Sequence, residues 1–200
     1  FGLENVLWFA NNKEDAHEEP TIKRSRSHDY VSKEVINVRE NVGLIEVANF
    51  SKHEFKGPDA RKFLDHIMAG KLPKPGRISL SPMLSYRGKL CGDLTVACLD
   101  ENEFMVFGSG AAQEMHRRWF ESHLDKFNLS YSNRSDEYHG LSIAGPNSRK
   151  VLEKIVRDDV SNEKFKFRDS RRMFVGGVPA IINRISFTGE LGYEIYVAPH

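Results

Sequence analysis

Two carboxylates stand in segments that otherwise have the composition of β-strands. Asp93 lies in the middle of residues 89–96, and Glu194 lies near the start of the apolar residues 193–197. Asp is disfavoured inside strands, and a carboxylate can accept two parallel N–H bonds from an amidine-like ring edge as it does from a guanidinium. Both residues are therefore candidates for ligand binding or proton handling.

Each carboxylate also has a plain structural explanation. Strand alternation places Asp93 on one face with Cys91 and Thr95, and such a face can simply be solvated, because half-exposed antiparallel sheets are common. Glu194 could instead pair with Arg184 on a neighbouring predicted strand. The spacing of the residues leaves both alternatives open.

Other familiar reaction centres are not indicated. Residues 108–110 (Gly-Ser-Gly) resemble a dinucleotide loop, but Gln113 replaces the expected small residue, so a strand-to-helix turn is the better interpretation. The N–H groups around Ser109 could still meet an anionic group of a ligand. The spacing of His116 and His123 is not typical of metal ligation on a helix, and no metal site is expected.

Composition excludes several classes of protein. The 200 residues are 40% hydrophobic and 28% charged, as expected for a water-soluble globular chain. Lys and Arg number 29 against 28 Asp and Glu, which argues against a nucleic-acid binder, and no apolar run approaches the ~20 residues of a membrane span. Cys91 and Cys98 fall on one predicted strand about 23 Å apart, too far for a disulfide. A reducing compartment, the cytoplasm or a mitochondrial matrix, is expected.

Apolar periodicity and turn residues predict an α+β chain. The segments at 57–60 (Gly-Pro-Asp-Ala) and 145–148 (Gly-Pro-Asn-Ser) each separate a predicted strand from a predicted helix. They predict two related subdomains, each an antiparallel sheet backed by a helix. The predicted helices cover 30–42, 59–69, 111–125 and 146–156. The predicted strands cover 44–50, 52–56, 77–85, 89–98, 103–107, 129–132, 138–144, 171–175, 179–187 and 193–197.

The polar composition of residues 11–29 marks a boundary. We expect residues 1–29 to be a linker or the end of an upstream region, and residues 30–200 to form an incomplete domain. The chain lacks an initiator Met and ends in a strand-like run, so we interpret it as part of a longer polypeptide truncated at its C-terminus.

Five segments in order along the chain carry a family resemblance. Together they resemble the folate-binding aminomethyltransferase domain of the glycine-cleavage T-protein group. They are more closely similar to the C-terminal half of dimethylglycine and sarcosine dehydrogenases. The segments are residues 56–64, 81–88, 92–96, 140–146 and 186–194.

The resemblance implies roles for particular residues. Asp93 is expected to face N10 of the folate from an enclosed polar pocket, and Glu194 is expected to anchor the pterin ring. Two departures stand out, since T-proteins usually have a second acid at the position of Gly92 and a Tyr at the position of Phe187. The remaining expected folate contacts are Phe187, Met83, Leu84 and Ser109.

The resemblance also implies a reaction. An FAD domain outside this chain oxidises an N-methyl amine to an iminium, and tetrahydrofolate captures the one-carbon unit as 5,10-methylene-tetrahydrofolate. Residues 1–9 resemble the segment that links such a flavin domain to the folate domain. The expected partners are thus folate, a small iminium and an upstream flavin domain, without nucleic acid or membrane.

Two alternatives remain. The first is a free-standing T-protein or a folate-dependent demethylase of the same fold, against which the linker-like residues 1–9 argue. The second is a non-catalytic homologue that serves as an interaction module. Retention of Asp93 and Glu194 argues against this second alternative, whereas Gly92 and Phe187 leave it open.

Overall fold

The computed structural model describes residues 6–199, so the first part of the linker-like segment, residues 1–5, lies outside the described residues. Within them the chain forms four α-helices and ten strands. The helices are α1 (His28–Glu40), α2 (Ala60–Ile67), α3 (Gln113–Glu121) and α4 (Ser148–Ile155). The strands are β1 (Gly43–Glu46), β2 (Ser51–Lys56), β3 (Arg77–Leu84), β4 (Leu90–Asp100), β5 (Glu103–Gly108), β6 (Ser130–Asn133), β7 (His139–Ala144), β8 (Ser170–Val175), β9 (Val178–Asn183) and β10 (Gly192–Val197).

The strands form two antiparallel sheets of five strands each. Sheet I has the order β3-β4-β5-β2-β6, and sheet II has the order β8-β9-β10-β7-β1. Each sheet is thus built from one strand, a helix and three consecutive antiparallel strands, with a short fifth strand at its edge. The predicted α+β class with two related, helix-backed subdomains is confirmed.

Three apolar clusters arrange the sheets and helices in layers. One cluster joins sheet I to α2 and to Phe120 of α3, and a second joins sheet II to α4. A third contains residues of both sheets, including Phe107 of β5 and Tyr196 of β10. The two sheets therefore pack face to face with helices outside. The space between the sheets is called the intersheet gap below.

The two Gly-Pro corners occupy equivalent places. Gly57 and Gly145 both have positive φ, +138° and +121°, a region that favours glycine. Their N–H groups donate to Asn102 O and Leu191 O, at 3.0 and 2.8 Å, in each case just before the central strand of the sheet. Each corner opens a helix of eight residues. The predicted equivalence of these corners therefore holds in the structure.

Strand β9 is shorter than the predicted strand over 179–187. It ends at Asn183, where Arg184 N–H donates to Asp169 O and Ile185 N–H turns back to Asn183 O. Phe187 consequently lies in a loop rather than in a strand. Within this loop Gly189 has a φ of +96°, and its N–H donates to Ser186 Oγ at 2.9 Å.

The first part of the chain packs loosely. Residues 6–27 contain no helix or strand, and Val6, Leu7 and Phe9 are exposed. Helix α1 has the predicted apolar spacing but buries none of its residues. No helix within the described residues is long and apolar enough to span a membrane.

Candidate functional site

The intersheet gap contains an aromatic contact that places Glu194. The ring of Tyr196 stacks on Phe107 of sheet I with centroids 4.5 Å apart. Glu194 lies two residues before Tyr196 on β10, and alternation puts both side chains on the same face. Glu194 therefore faces the intersheet gap.

Glu194 is a half-buried acid without a cation beside it. The Tyr196 hydroxyl donates to Glu194 Oε2 at 2.8 Å, and no ion pair within residues 6–199 involves Glu194. Burial raises the pKa of the Glu194 carboxyl, and the Tyr196 hydrogen bond opposes that rise. Arg184, the alternative partner, is engaged elsewhere, by Phe165 O and Asn162 Oδ1. The alternative pairing of Glu194 with Arg184 is therefore wrong.

Sheet I has a residue at the position that corresponds to Glu194 in sheet II. Lys56 pairs with Glu103 at the corner of sheet I, as Ala144 pairs with Gly192 in sheet II. Two residues further along β5 and β10, Met105 is the counterpart of Glu194. Met105 is 1% exposed in the cluster between the sheets. An apolar side chain thus serves this position in one half, so Glu194 is not needed for packing.

Asp93 lies on the same gap-facing side of sheet I but in its open part. Thr95 pairs with Phe107, and Asp93 alternates with Thr95. Its side chain is exposed, so the expected enclosed pocket is not formed by the described residues. The physical reason is that the β3–β4 hairpin extends past the area covered by sheet II. The apolar Leu80 and Leu84 beside it on β3 are exposed too, Leu80 by 62%.

A bulge near Asp93 changes the expected division of faces. Met83 pairs with Gly92 but Leu84 pairs with Leu90, which leaves Cys91 as the extra residue. Cys91 accordingly packs against the cluster on the helix side. The expectation that Cys91 shares a face with Asp93 is wrong.

Gly92 also faces the helices. A Cβ there would lie 2.9 Å from His116 Nε2. An acid at this position would therefore point toward His116 and not into the intersheet gap beside Asp93.

Met83 and Leu84, both expected folate contacts, lie in different surroundings. Met83 is fully buried and lines a cavity of about 300 Å³ beside α3, together with Cys91 and Trp119. Leu84 is partly exposed and alternates with Pro82, which pairs with Asp93. Leu84 thus shares the open face with Asp93, whereas Met83 does not.

The other two expected contacts are exposed. Ser109 follows β5 and caps a short turn, with Ser109 O accepting from Ala112 N at 3.1 Å. Phe187 is 99% exposed, so it lines no cavity formed by the described residues. Asp93 and Leu84 lie on the gap-facing side of sheet I and Glu194 lies on that of sheet II, whereas Met83 lies on the helix side of sheet I.

Sequence reasoning missed several buried polar residues. Lys52 is fully buried, and its Nζ donates to Ala48 O and Phe50 O at 2.7 and 2.8 Å. His53 is fully buried too. Its Nδ1 lies 2.9 Å from the hydroxyl oxygen of Tyr131, and its Nε2 has no hydrogen-bond partner among the described residues. Because residues 52–56 are mostly polar, their composition does not indicate that Lys52 and His53 are buried. The sequence contains one signal for Tyr196, its position two residues after Glu194, which predicts that both side chains lie on the same face of the strand.

Metal ligation finds no support in the described part of the chain. There, no group of three or more His, Cys, Asp or Glu side chains is placed to hold a metal ion. Cys91 and Cys98 are both free thiols. Hydrogen bonding and packing thus account for what these side chains do in the fold.

A family model decides the relationship of this chain to known proteins. The model described as "GCVT N-terminal domain" matches residues 1–200, the whole chain. The chain belongs to the GCVT N-terminal domain family. The family resemblance inferred from the five segments is confirmed, and this GCVT domain is a member of a folate-binding family.

Named relatives of the GCVT domain are enzymes. It is 34% identical to the mitochondrial dimethylglycine dehydrogenase of Mus musculus, over 98% of this chain and 23% of that protein. It is 32% identical to an aminomethyltransferase of Staphylococcus epidermidis, over 80% of this chain and 44% of that protein. The chain thus spans less than half the length of the relatives it matches.

A solved structure shares the fold. The glycine cleavage system aminomethyltransferase T of Bartonella henselae superposes with a TM-score of 0.74 at 23% identity. The match covers 84% of this chain and 45% of that one. The fold of the GCVT domain is therefore that of the aminomethyltransferase.

Proposed function

We propose that this GCVT domain binds tetrahydrofolate and serves one-carbon transfer in a flavin-dependent enzyme similar to dimethylglycine dehydrogenase. The observation that carries the proposal is Glu194, a half-buried carboxylate without a cation beside it, at a position where sheet I has the fully buried Met105. Burying a charge without a partner is costly. A ligand that presents N–H donors to Glu194 would offset that cost.

The chemistry of the gap fits a pterin edge. A pterin presents a ring N–H and an exocyclic amine side by side, and an ionised carboxylate accepts from both. Tyr196 engages Oε2 at 2.8 Å, and each carboxylate oxygen has a second lone pair. Glu194 would therefore hold the pterin and fix its orientation.

The open face around Asp93 fits the reacting end of the ligand. Ligand sites are mostly apolar with a few placed polar groups, and Asp93 lies beside the exposed Leu80 and Leu84. We assign to Asp93 the role of holding the N–H of the folate amine and stabilising the positive charge that develops near it. Binding places the reactants together, which supplies much of the rate effect.

The remaining contacts are proposed on the same basis. Leu84 and Phe187 would line the ligand through apolar contact, and Ser109 would meet an anionic part of it. When bound, tetrahydrofolate supplies the amine that accepts the one-carbon unit and carries it away as 5,10-methylene-tetrahydrofolate. Amine oxidation belongs to a flavin domain outside these residues.

A dehydrogenase of this kind is favoured over a free-standing aminomethyltransferase by the extent of the similarity. The similarity to dimethylglycine dehydrogenase covers 98% of the chain, and that to the S. epidermidis aminomethyltransferase covers 80%. The aminomethyltransferase remains the second candidate. Folate-dependent transfer without any amine oxidation by the full-length natural protein would favour it.

The test separates oxidation from one-carbon capture. In the full-length natural protein, Asp93→Asn is expected to keep the rate of dimethylglycine or sarcosine oxidation, measured with an artificial electron acceptor. Formation of methylene-tetrahydrofolate should fall at least about tenfold, within the range for removal of a general acid–base group. Asp100→Asn, an exposed acid at the other end of β4, is the matched control and should change neither rate. Equal loss of both activities in Asp93→Asn would contradict the proposal and point to a folding role.

A further inference from the structure

Tyr196 is closely enclosed by residues of both sheets. It is 1% exposed, and its ring lies against Phe107 on one side. Gly140 pairs with it on β7, where a Cβ would come within 2.9 Å of Tyr196 Cε1. The absence of a side chain at Gly140 thus makes the space that the Tyr196 ring fills.

A buried ammonium group lies near the same ring. Lys52 pairs with Phe107 on β2, and its Nζ lies 5.9 Å from the centroid of Tyr196. Backbone carbonyl groups hold that Nζ in place. With Phe107, Gly140 and Lys52 around it, the phenol ring has little freedom, so the direction of its hydroxyl is fixed.

That hydroxyl has one partner, the carboxylate assigned to the ligand. The corresponding position in sheet I is Phe107, which has no hydroxyl, because Phe107 and Tyr196 each lie four residues after the first residue of their strands. The phenol oxygen is therefore not required by the fold. It appears in the half of the molecule that also carries Glu194.

We propose that Tyr196 is a positioning residue that engages one lone pair of Glu194 Oε2, fixes the orientation of the carboxylate and leaves Oε1 and the second lone pair of Oε2 to the ligand. This inference rests on the proposed function. A hydrogen bond to the ionised form of a carboxyl group favours that form, and the protonated form would set an O–H donor against a donor of the ligand. Tyr196 therefore also keeps Glu194 able to accept N–H donors.

The groups around Glu194 determine how the effect of Tyr196 on ligand binding depends on pH. Burial raises the pKa of the Glu194 carboxyl and the Tyr196 hydroxyl lowers it, so loss of the hydroxyl raises the pKa further. Ligand affinity is lost as pH falls through that pKa, and without the hydroxyl the loss begins at higher pH. The neighbours on β7 and β9 are the neutral Ser142 and Asn183. The charged residues on the gap-facing side of the two sheets are Lys52, Asp93, Glu54, Lys56, Glu103 and Arg172, of which the last four form ion pairs.

The test measures anaerobic binding of tetrahydrofolate to the full-length natural protein between pH 5.5 and 8. Tyr196→Phe is expected to weaken binding about tenfold at neutral pH, as for loss of a hydrogen bond to a charged group. Its acid-side loss of affinity should begin at higher pH than in the wild type. Tyr193→Phe is the matched control, since Tyr193 lies on the other face of β10 and its hydroxyl oxygen accepts from Arg149 Nε; binding should stay within about twofold.

A double-variant cycle separates this inference from the proposed function. In a Glu194→Gln background, adding Tyr196→Phe should change the affinity less than about twofold. Weak binding by Glu194→Gln with wild-type binding by Tyr196→Phe would overturn the positioning role and leave the anchor in place. Wild-type binding by Glu194→Gln would overturn both. A weakened Tyr196→Phe with an unchanged pH profile and a lowered Tm would mean that the hydroxyl is structural.

Discussion

The two halves of the molecule share a plan and differ at the residues assigned to chemistry. Each half has a Gly-Pro corner, an eight-residue helix and the same order of four strands in its sheet, while the fifth, edge strand follows the other four along the chain in sheet I and precedes them in sheet II. Glu194 is a gap-facing residue of the central strand of sheet II, and its counterpart on the central strand of sheet I is Met105. An apolar residue is accommodated at the corresponding position of sheet I, which supports the proposal that the Glu194 carboxylate serves a ligand.

The opposite difference is found at Asp93, where sheet I has the acid and sheet II does not. Thr95 pairs with Phe107 as Ile181 pairs with Tyr196, which makes Pro179 the counterpart of Asp93. The hairpin that carries Pro179 turns at once through Gly176 and Gly177, whereas the β3–β4 hairpin continues to Leu84 and Leu90. Asp93 and Glu194 are thus gap-facing acids whose counterparts in the other half, Pro179 and Met105, cannot ionise.

The largest expected effect comes from replacing two residues of sheet II by their counterparts in sheet I. The double variant Glu194→Met with Tyr196→Phe reproduces Met105 and Phe107. It should lower tetrahydrofolate affinity at least about a hundredfold, since charge-assisted hydrogen bonds are lost. The free energy of unfolding should stay equal or rise, because replacing buried charges by apolar side chains is often neutral or stabilising.

Calorimetric titration and urea unfolding check this double variant. Met105→Leu, a change of similar volume at the counterpart position, is the control and should leave folate affinity unchanged. A double variant that unfolds at much lower urea would show that Glu194 supports the fold after all.

The corners should respond alike to loss of glycine. A Cβ on Gly145 would lie 2.5 Å from Asn41 O, and one on Gly57 would lie 2.7 Å from Leu129 Cα. With positive φ at both, Gly145→Ala and Gly57→Ala should each lower the free energy of unfolding by about 2 kcal/mol. Gly176→Ala, where φ is +58° and nothing lies within 4 Å, should cost clearly less in the same urea titration. A large loss at one corner only would contradict their equivalence.

Acid should weaken the half that contains sheet I. Burial, aided by His116, lowers the pKa of His53 to about 4, and burial lowers the pKa of His116 too. An unfolded His takes up its proton near pH 6.5, so stability is fully present above that pH and is lost as pH falls from about 6.5 toward 4. The loss between pH 7 and 5 should be about 1–2 kcal/mol for His53.

Urea unfolding as a function of pH measures this loss. His53→Gln should flatten the dependence, and His139→Gln, at an exposed position of β7, should leave it as in the wild type. A pH dependence unchanged in His53→Gln would place the acid sensitivity elsewhere.

The smallest effect is expected at Phe187. Because its side chain is 99% exposed, Phe187→Ala should change the free energy of unfolding by less than about 0.5 kcal/mol. If Phe187 lines the ligand as proposed, folate affinity should fall about threefold, an apolar contact being worth about 1 kcal/mol or less when partly exposed. Unchanged affinity would remove Phe187 from the proposed site. Phe174→Ala, exposed on β8, is the control.

Most of the elements could be predicted because local signals and tertiary packing agree. Phe63, Leu64 and Ile67 follow the Gly57 corner at helical spacing and are all buried. Where they disagree the prediction fails, as at residues 184–187, whose strand-like composition is overridden by the hydrogen bond of Arg184 N–H to Asp169 O.

The sequence singled out Asp93 and Glu194, whose roles stay predictions, and it did not indicate which residues surround them. Alternation correctly puts Asp93 opposite Leu94, but a bulge invisible to alternation moves Cys91 to the helix side. Met83 looked equivalent to Leu84 because they are adjacent in one motif, yet adjacent strand residues face opposite ways. Burial of Lys52 and His53 could not be foreseen from a segment of polar composition.

By itself the sequence determined the family, the class of fold, the two corners and the two acids, because turn residues, apolar periodicity and motif order are local properties. Only the tertiary structure decided which residues share the intersheet gap. Strands distant in sequence meet through pairing and packing, so Tyr196 comes to lie between Gly140 and Phe107. Whether a carboxylate lies half-buried without a cation beside it, as Glu194 does, depends on those distant neighbours.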